Sequence, residues 1–447
     1  MMITRFVLMS YSVISLALFA PASVVADDLI GVYREALDTD PTFAQARALD
    51  AANRENLPIA RAGLLPSILL TGDIYEVRQE LERSGVTTNS DFRNKSAQLS
   101  LTQPLWRRQN LASYEQARHT VEQSQANLAA AGQELMLRVA RAYFDVLLAD
   151  DTLEFARAEK NAIRRQLEFT ERNFSVGNAT LVDIHAARAA YDLSQAQDVE
   201  AENQTRVTRE QLAAIIGRQP GPLATLQNTP PLDAPQPADT GQWSAIAVRE
   251  NLGVRAAEYA LEAAREDVKR ARGGHQPTLD LVGSHGFSSL GGSAFGIASD
   301  TTSTQLGLEL AVPIYSGGAT QAGVRQSAAR LDQSNQALEA ARREATRGAR
   351  EAYLAVTSGI ARVQALEQAI VSTKKALEST ILGAEAGVRN AVDVLNAQRD
   401  YYRARRDLAQ ARYTFLISRL QLKNAAGTLA ADDIEATNSL LAQALAK

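Results

Sequence analysis

Few side chains in this sequence stand where chemistry could gather. The four histidines, His119, His185, His275 and His285, are scattered, and His185 beside Asp183 is too local a pair to hold a metal. No cysteine is present, so neither a thiolate site nor a disulfide contributes. No nucleophilic-serine elbow or phosphate loop is found, and the Gly-Gly pairs at 273–274, 291–292 and 317–318 read as turns. What recurs is a glycine with an aspartate six positions on: Gly177 and Asp183, then Gly387 and Asp393. Such a glycine supplies the left-handed or tight geometry of a helix reversal. The aspartate has two ordinary uses, capping the returning helix or standing solvated on it. This inventory argues against an enzyme and requires neither cofactor nor metal.

The glycine–aspartate unit belongs to a longer repeat. Phe174 to Asn203 (FSVGNATLVDIHAARAAYDLSQAQDVEAEN) has a second edition at Glu385 to Arg412, displaced by 387 − 177 = 210 positions. The same offset pairs Ala142-Tyr143-Phe144 with Ala352-Tyr353-Leu354, and an offset of 209 pairs LSLTQPLW (Leu99–Trp106) with LELAVPIY (Leu308–Tyr315). Four landmarks in one order define a tandem duplication, which must be recognised before domains are drawn.

Residues 1–26 read as a targeting segment: Arg5 is the positive end, Phe6 to Ala20 is mostly apolar, and Val24-Val25-Ala26 is a small-residue cleavage site. Elsewhere no run approaches 18 consecutive apolar residues, so a helical span is not expected, although β-strands of the outer membrane escape such scans. The balance of 47 basic against 51 acidic residues gives no support to a nucleic-acid partner.

Prolines punctuate the first 104 residues and the stretch from 220 to 313, but residues 105–219 and 314–447 contain none. Both proline-free tracts are rich in good helix formers, which predicts long helices. From about Arg107 to Asn173 the chain could span roughly 100 Å, with Gly132 as a candidate joint. Small residues dominate these rods and suit closely packed coiled helices. Ahead of each rod, Pro66 to Val77 and Pro277 to Phe287 are strand-like. Glu80 to Asn94 and Ser288 to Thr302, with GGSAFG inside, read as polar or glycine-rich tips, and returning strands follow. In the returns Ala97, Leu99 and Leu101 oppose Gln98, Ser100 and Thr102, while Leu306, Leu308 and Leu310 oppose Gln305, Gly307 and Glu309. Four strands cannot close a transmembrane barrel, so a membrane location demands an oligomer.

Taken together, ERNFSVGNATLVDIHAARAAYD, GVRNAVDVLNAQ and the closing ARYTFLISRLQLKNAAGTL resemble the TolC family of outer-membrane efflux proteins, over about Asp28 to Ile434. The resemblance implies a fold class: an all-α coiled helical barrel combined with a transmembrane β-barrel, 12-stranded in a homotrimer. It implies a first repeat at 27–219 (hairpin about 66–104, tip about 174–183) and a second at 244–427 (hairpin about 277–313, tip about 384–393). An equatorial connector at 220–243 and an equatorial tail at 428–447 complete the division.

It further implies an exit duct in the outer membrane of a Gram-negative bacterium, with a long periplasmic extension. The partners would be a periplasmic membrane-fusion adaptor and an inner-membrane ABC exporter or proton-driven pump. The tip turns Gly177, Asn178, Gly387 and Val388 would dock the adaptor. The periplasmic constriction would involve Asp393, Asn396, Arg389 and Asp183, with three copies of Asp393 forming an acidic ring of the kind that selects cations. The chain departs from the family pattern at Asn396, where a second carboxylate is usual, at Ala384 in place of a latch tyrosine, and at Ala386 in place of a valine. A weaker divalent-cation block and a gate with fewer bonds follow. The alternative is a membrane-anchored coiled-coil scaffold or adhesive trimer without a pore.

Overall fold

In the computed structural model, residues 26–226, 229–292 and 297–442 are described. The targeting segment expected at 1–26 lies outside them except for Ala26. Gln227 and Asn228 of the connector, most of GGSAFG and the last five residues of the tail also lie outside.

The chain begins with α1 (Leu29–Thr39), α2 (Pro41–Arg54) and α3 (Asn56–Ala62). Asp40 ends α1 and caps α2, its side chain accepting from Phe43 N at 2.7 Å, and Pro41 occupies the first turn, where no donor is needed. Next come β1 (Ser67–Arg83), β2 (Val86–Trp106), the 68-residue helix α4 (Arg108–Ser175), α5 (Leu181–Ile216) and the short β3 (Thr225–Leu226). The second half repeats the order with α6 (Thr240–Glu250), α7 (Leu252–Gly273), β4 (Thr278–Leu290), β5 (Ser299–Ala311), α8 (Ala319–Glu385) and α9 (Ala391–Ala425). It closes with α10 (Ala431–Asn438) and β6 (Leu441–Ala442), which pairs with β3 and so brings tail and connector together.

Two sequence expectations change. Gly132 does not break α4; it lies inside the helix beside the Phe43 ring of α2, and a Cβ there would meet that ring at an ordinary contact distance of 3.8 Å. The residues expected as the first polar tip are strand. β1 and β2 stay paired up to a two-residue turn, Ser84-Gly85, both at positive φ as a tight hairpin requires. The polar composition that suggests a loop here belongs to a solvated ribbon, with cross-strand pairs Arg78–Asp91 at 3.0 Å and Glu76–Arg93 at 2.5 Å.

The four long strands form one antiparallel sheet in the order β1-β2-β4-β5, open at β1 and β5. Cross-strand partners share a face. One face aligns Ile68 with Leu101, Gly283 and Leu306, and Leu70 with Leu99, His285 and Thr304. It stays bare: Ile68, Leu70, Leu306, Leu308 and Leu310 are all strongly exposed. The opposite face carries Asp73, Ser96, Gln98, Ser100, Ser284 and Gln305, with Ser96 donating to Asp73 at 3.2 Å. An uncovered apolar face with period-two alternation is the surface a lipid-facing strand presents. Trp106 and Tyr315, at equivalent places in the two repeats, stand exposed where the strands give way to helices.

The rods pack mainly α4 against α5, α7 and α9, and α8 against α7 and α9. Bulky side chains concentrate near mid-height, where Tyr143, Phe144, Phe415, Leu212, Ile216, Leu29 and Ile434 are fully buried. The Tyr143 hydroxyl donates to the carbonyls of Ala224 (2.8 Å) and Asp27 (3.1 Å), fastening the first residues and the connector to α4.

Arg218 reinforces this belt by bonding both Asp27 and Glu35. Hydrogen bonds from Arg218, and then from Gly221 N, hold the Asp27 carboxyl below its usual range despite partial burial. A depressed carboxylate pKa contributes stability above the unfolded value of about 4, lost as pH falls through the folded value. Thermal unfolding in detergent should therefore drop more steeply below about pH 4 in the wild type than in Asp27→Asn.

Candidate functional site

At the end of the rods farthest from the sheet, each helix pair reverses in five residues, 176–180 and 386–390. The two turns are built alike. Gly177 (φ 82°) and Gly387 (φ 75°) take the left-handed conformation. Gly177 N donates to Phe174 O and Asn178 N to Asn173 O; Gly387 N donates to Ala384 O and Val388 N to Gly383 O. This double closure satisfies the last carbonyls of α4 and α8. No atom lies within 4 Å of a Cβ added at either glycine, so backbone conformation alone demands them.

The returning helices start on capping boxes. Thr180 Oγ1 accepts from Asp183 N (3.2 Å) while Asp183 Oδ2 accepts from Thr180 N (2.9 Å). In the second repeat Asn390 Oδ1 accepts from Asp393 N (2.8 Å) and Asp393 Oδ2 from Asn390 N (3.3 Å). Both aspartates therefore satisfy orphan donors and favour the helix dipole. The capping use left open by the sequence is occupied, and Asp393 keeps a half-exposed carboxylate besides.

Within one chain Arg389 lies 3.9 Å from Asp393 of its own tip, too far for a hydrogen bond. Among the described residues no ion pair joins one tip to the other. Nearest the tips the helix pairs meet through apolar side chains: Leu395 packs with Ile163, Leu167, Ala187 and Ala190. Asn396 and Asn178 face solvent.

Of the apolar dressing of the tips, sequence reasoning singled out Val388 alone. Phe174, Val176, Leu181 and Val182 in the first, and Leu382, Val388 and Val392 in the second, are exposed. Grouped exposure of this kind marks a contact surface. For the first tip the signal was present in Val176, which flanks its glycine as Val388 does in the second and is 69% exposed. Also missed was Glu159, buried in α4 and paired with Arg406 of α9 at 2.8 Å.

These features define a class: a duplicated, long-helix protein whose bare-faced hairpins and capped tips lie at opposite ends. The chain belongs to the outer membrane efflux protein family, whose sequence model matches residues 32–218 and 243–428, one stretch in each repeat. It is 35% identical over 424 residues to the outer membrane protein TolC of Vibrio cholerae, covering 94% of each chain. It is 31% identical over 414 residues to the alkaline protease secretion protein AprF of Pseudomonas aeruginosa, covering 91% of this chain and 86% of that one. The fold matches the crystal structure of the outer membrane protein VceC of Vibrio cholerae with a TM-score of 0.76 at 20% identity, over 89% of this chain and 96% of that one. The chain is thus an outer-membrane protein of a Gram-negative bacterium, with a large periplasmic helical region and an exit-duct role in transport.

Proposed function

We propose that three copies of this chain assemble into a duct, their four-stranded sheets closing a 12-stranded barrel and their rods continuing it as a helical tunnel. The observation that carries this reading is the open sheet with one bare apolar face and a polar reverse, continuous with rods about 100 Å long. Unpaired edges at β1 and β5 cannot stand in hydrocarbon, where each unsatisfied backbone group costs several kcal/mol; pairing β5 of one copy with β1 of the next removes them. The connector and tail, joined by β3 and β6, form an equatorial belt.

The tips dock a periplasmic membrane-fusion adaptor, which links the duct to an inner-membrane ABC exporter or proton-driven pump. Exposed Val176, Val388 and their apolar neighbours fit that contact. The duct conducts passively, the energy coming from the pump. Its cargo is protein or small toxic compounds, and similarity to a protein named for alkaline protease secretion supports the first. Near the axis Asp393 forms an acidic ring, flanked by Arg389, Asp183 and the uncharged Asn396.

Single-channel current in a planar bilayer tests this reading. Asp393→Asn is the suitable variant, because its amide oxygen still accepts from Asn390 N while the charge is gone. Wild type should show discrete cation-selective openings blocked by divalent cations, and the variant should lose much of both selectivity and block. Silence from a folded, inserted trimer would overturn the duct in favour of a membrane-anchored scaffold.

A further inference from the structure

The first hairpin outreaches the second. β4 stops at Leu290, opposite Asn94, but β1 and β2 continue for another eight pairs, from Glu76–Arg93 to Arg83–Val86. This two-stranded ribbon rises roughly 25 Å above the rim of the sheet. Its polarity is reversed relative to the sheet below. The face continuing the lipid-facing row of Ile68, Leu70 and Ile74 becomes charged, with Glu76, Arg78, Glu80, Glu82, Asp91 and Arg93 all exposed. The face continuing the polar row of Thr71, Asp73 and Ser96 gains apolar side chains, Val77 opposite Phe92, then Leu81 and Val86, interleaved with Gln79, Ser90, Thr88 and Arg83.

A ribbon standing alone in water needs no apolar row, and a lipid-facing one would carry it on the other side. We infer that the ribbons of three protomers lean together above the barrel, burying Val77, Leu81, Val86 and Phe92 against one another as a cover over its outer mouth. The inference rests on the trimeric duct proposed above. The occupant of each apolar face is a second copy of this chain. Continuity of the faces argues for it: the row that lines the barrel interior is the row that gains Val77, Leu81, Val86 and Phe92 once above the rim. Alternation of burial along β1 agrees, since Val77, Gln79 and Leu81 are half-buried while Arg78 and Glu80 between them, and Glu76 and Glu82 on either side, are exposed. The ribbon is also seated on the second hairpin. Gly291 N donates to Arg93 O at 2.9 Å, and a Cβ on Gly292 would stand 3.0 Å from that of Phe92. The charged outer faces repel lipid and keep the cover in water.

Because the chain has no cysteine, single thiols report the contact without background. Leu81→Cys and Glu80→Cys are adjacent residues on opposite faces of the ribbon. Each variant is purified from outer membranes, its mass in detergent is measured by light scattering, and it is treated with a short bismaleimide. The cover predicts that Leu81→Cys links most chains to a partner and that channel current then falls, while Glu80→Cys links few. Trimers in which neither position links, or both link equally, would overturn the cover and leave the duct standing. A monomer by light scattering would overturn the duct and the cover with it.

Discussion

Arg406→Ala should cost about 3–5 kcal/mol of stability, because it strands a charge in the interior. The Glu159 side chain is 4% exposed and its bond to Arg406 at 2.8 Å ties α4 of the first repeat to α9 of the second. A buried carboxylate regains little on its own, and removing one partner costs far more than the pair contributes relative to an apolar replacement. The second variant is therefore the informative control: adding Glu159→Gln to Arg406→Ala removes the stranded charge and should recover much of the loss. Tryptophan fluorescence during denaturant unfolding of the detergent-solubilised protein measures all three. If Arg406→Ala unfolds like the wild type, the pair is not a buried tie between the repeats. Helix register between the repeats depends on this bond and on the Tyr402 hydroxyl, which donates to Ala158 O at 3.3 Å.

Gly427→Val should be as damaging, by more than about 3 kcal/mol, for a different reason. Gly427 has φ 76°, and a Cβ there would lie 2.3 Å from Glu250 O and 2.6 Å from Asn251 Cα. Both are backbone atoms at the junction of α6 and α7, so no side chain can swing aside. The left-handed strain and the overlap add together. Gly177→Ala isolates the first effect: φ is 82° but nothing lies within 4 Å, so the expected loss is about 1–2 kcal/mol. Yields from outer membranes and unfolding midpoints should rank wild type, Gly177→Ala and Gly427→Val in that order. Equal behaviour of the two glycine variants would remove the packing argument.

Much of the architecture was legible in the chain itself. Proline-free tracts of strong helix formers demanded long helices, because propensity and the absence of kinks act locally. Duplication exposed the paired hairpins and paired tips, since a repeat carries its own internal alignment. Period-two alternation at Leu306, Leu308 and Leu310 announced a two-sided strand for the same local reason. At the tips, Gly177, Gly387, Asp183 and Asp393 were found because a left-handed turn and a helix start each call for particular residue types.

Properties that depend on partners distant in sequence stayed hidden. Glu159 and Arg406 are 247 positions apart, and their pairing is set by how two rods cross. The length of the first hairpin was misjudged because charged strand and charged loop have similar composition; only the pairing of Arg78 with Asp91 and Glu76 with Arg93 separates them. Whether Asp393 caps a helix was likewise a matter of geometry, decided by the direction of Asn390 N. The chain by itself determined the kinds of element, their order and the residues at their ends, since those follow from interactions within a few positions. Tertiary structure alone decided which side chains are buried together and how far the strands of the first hairpin stay paired, since burial and register arise between segments that sequence distance does not relate.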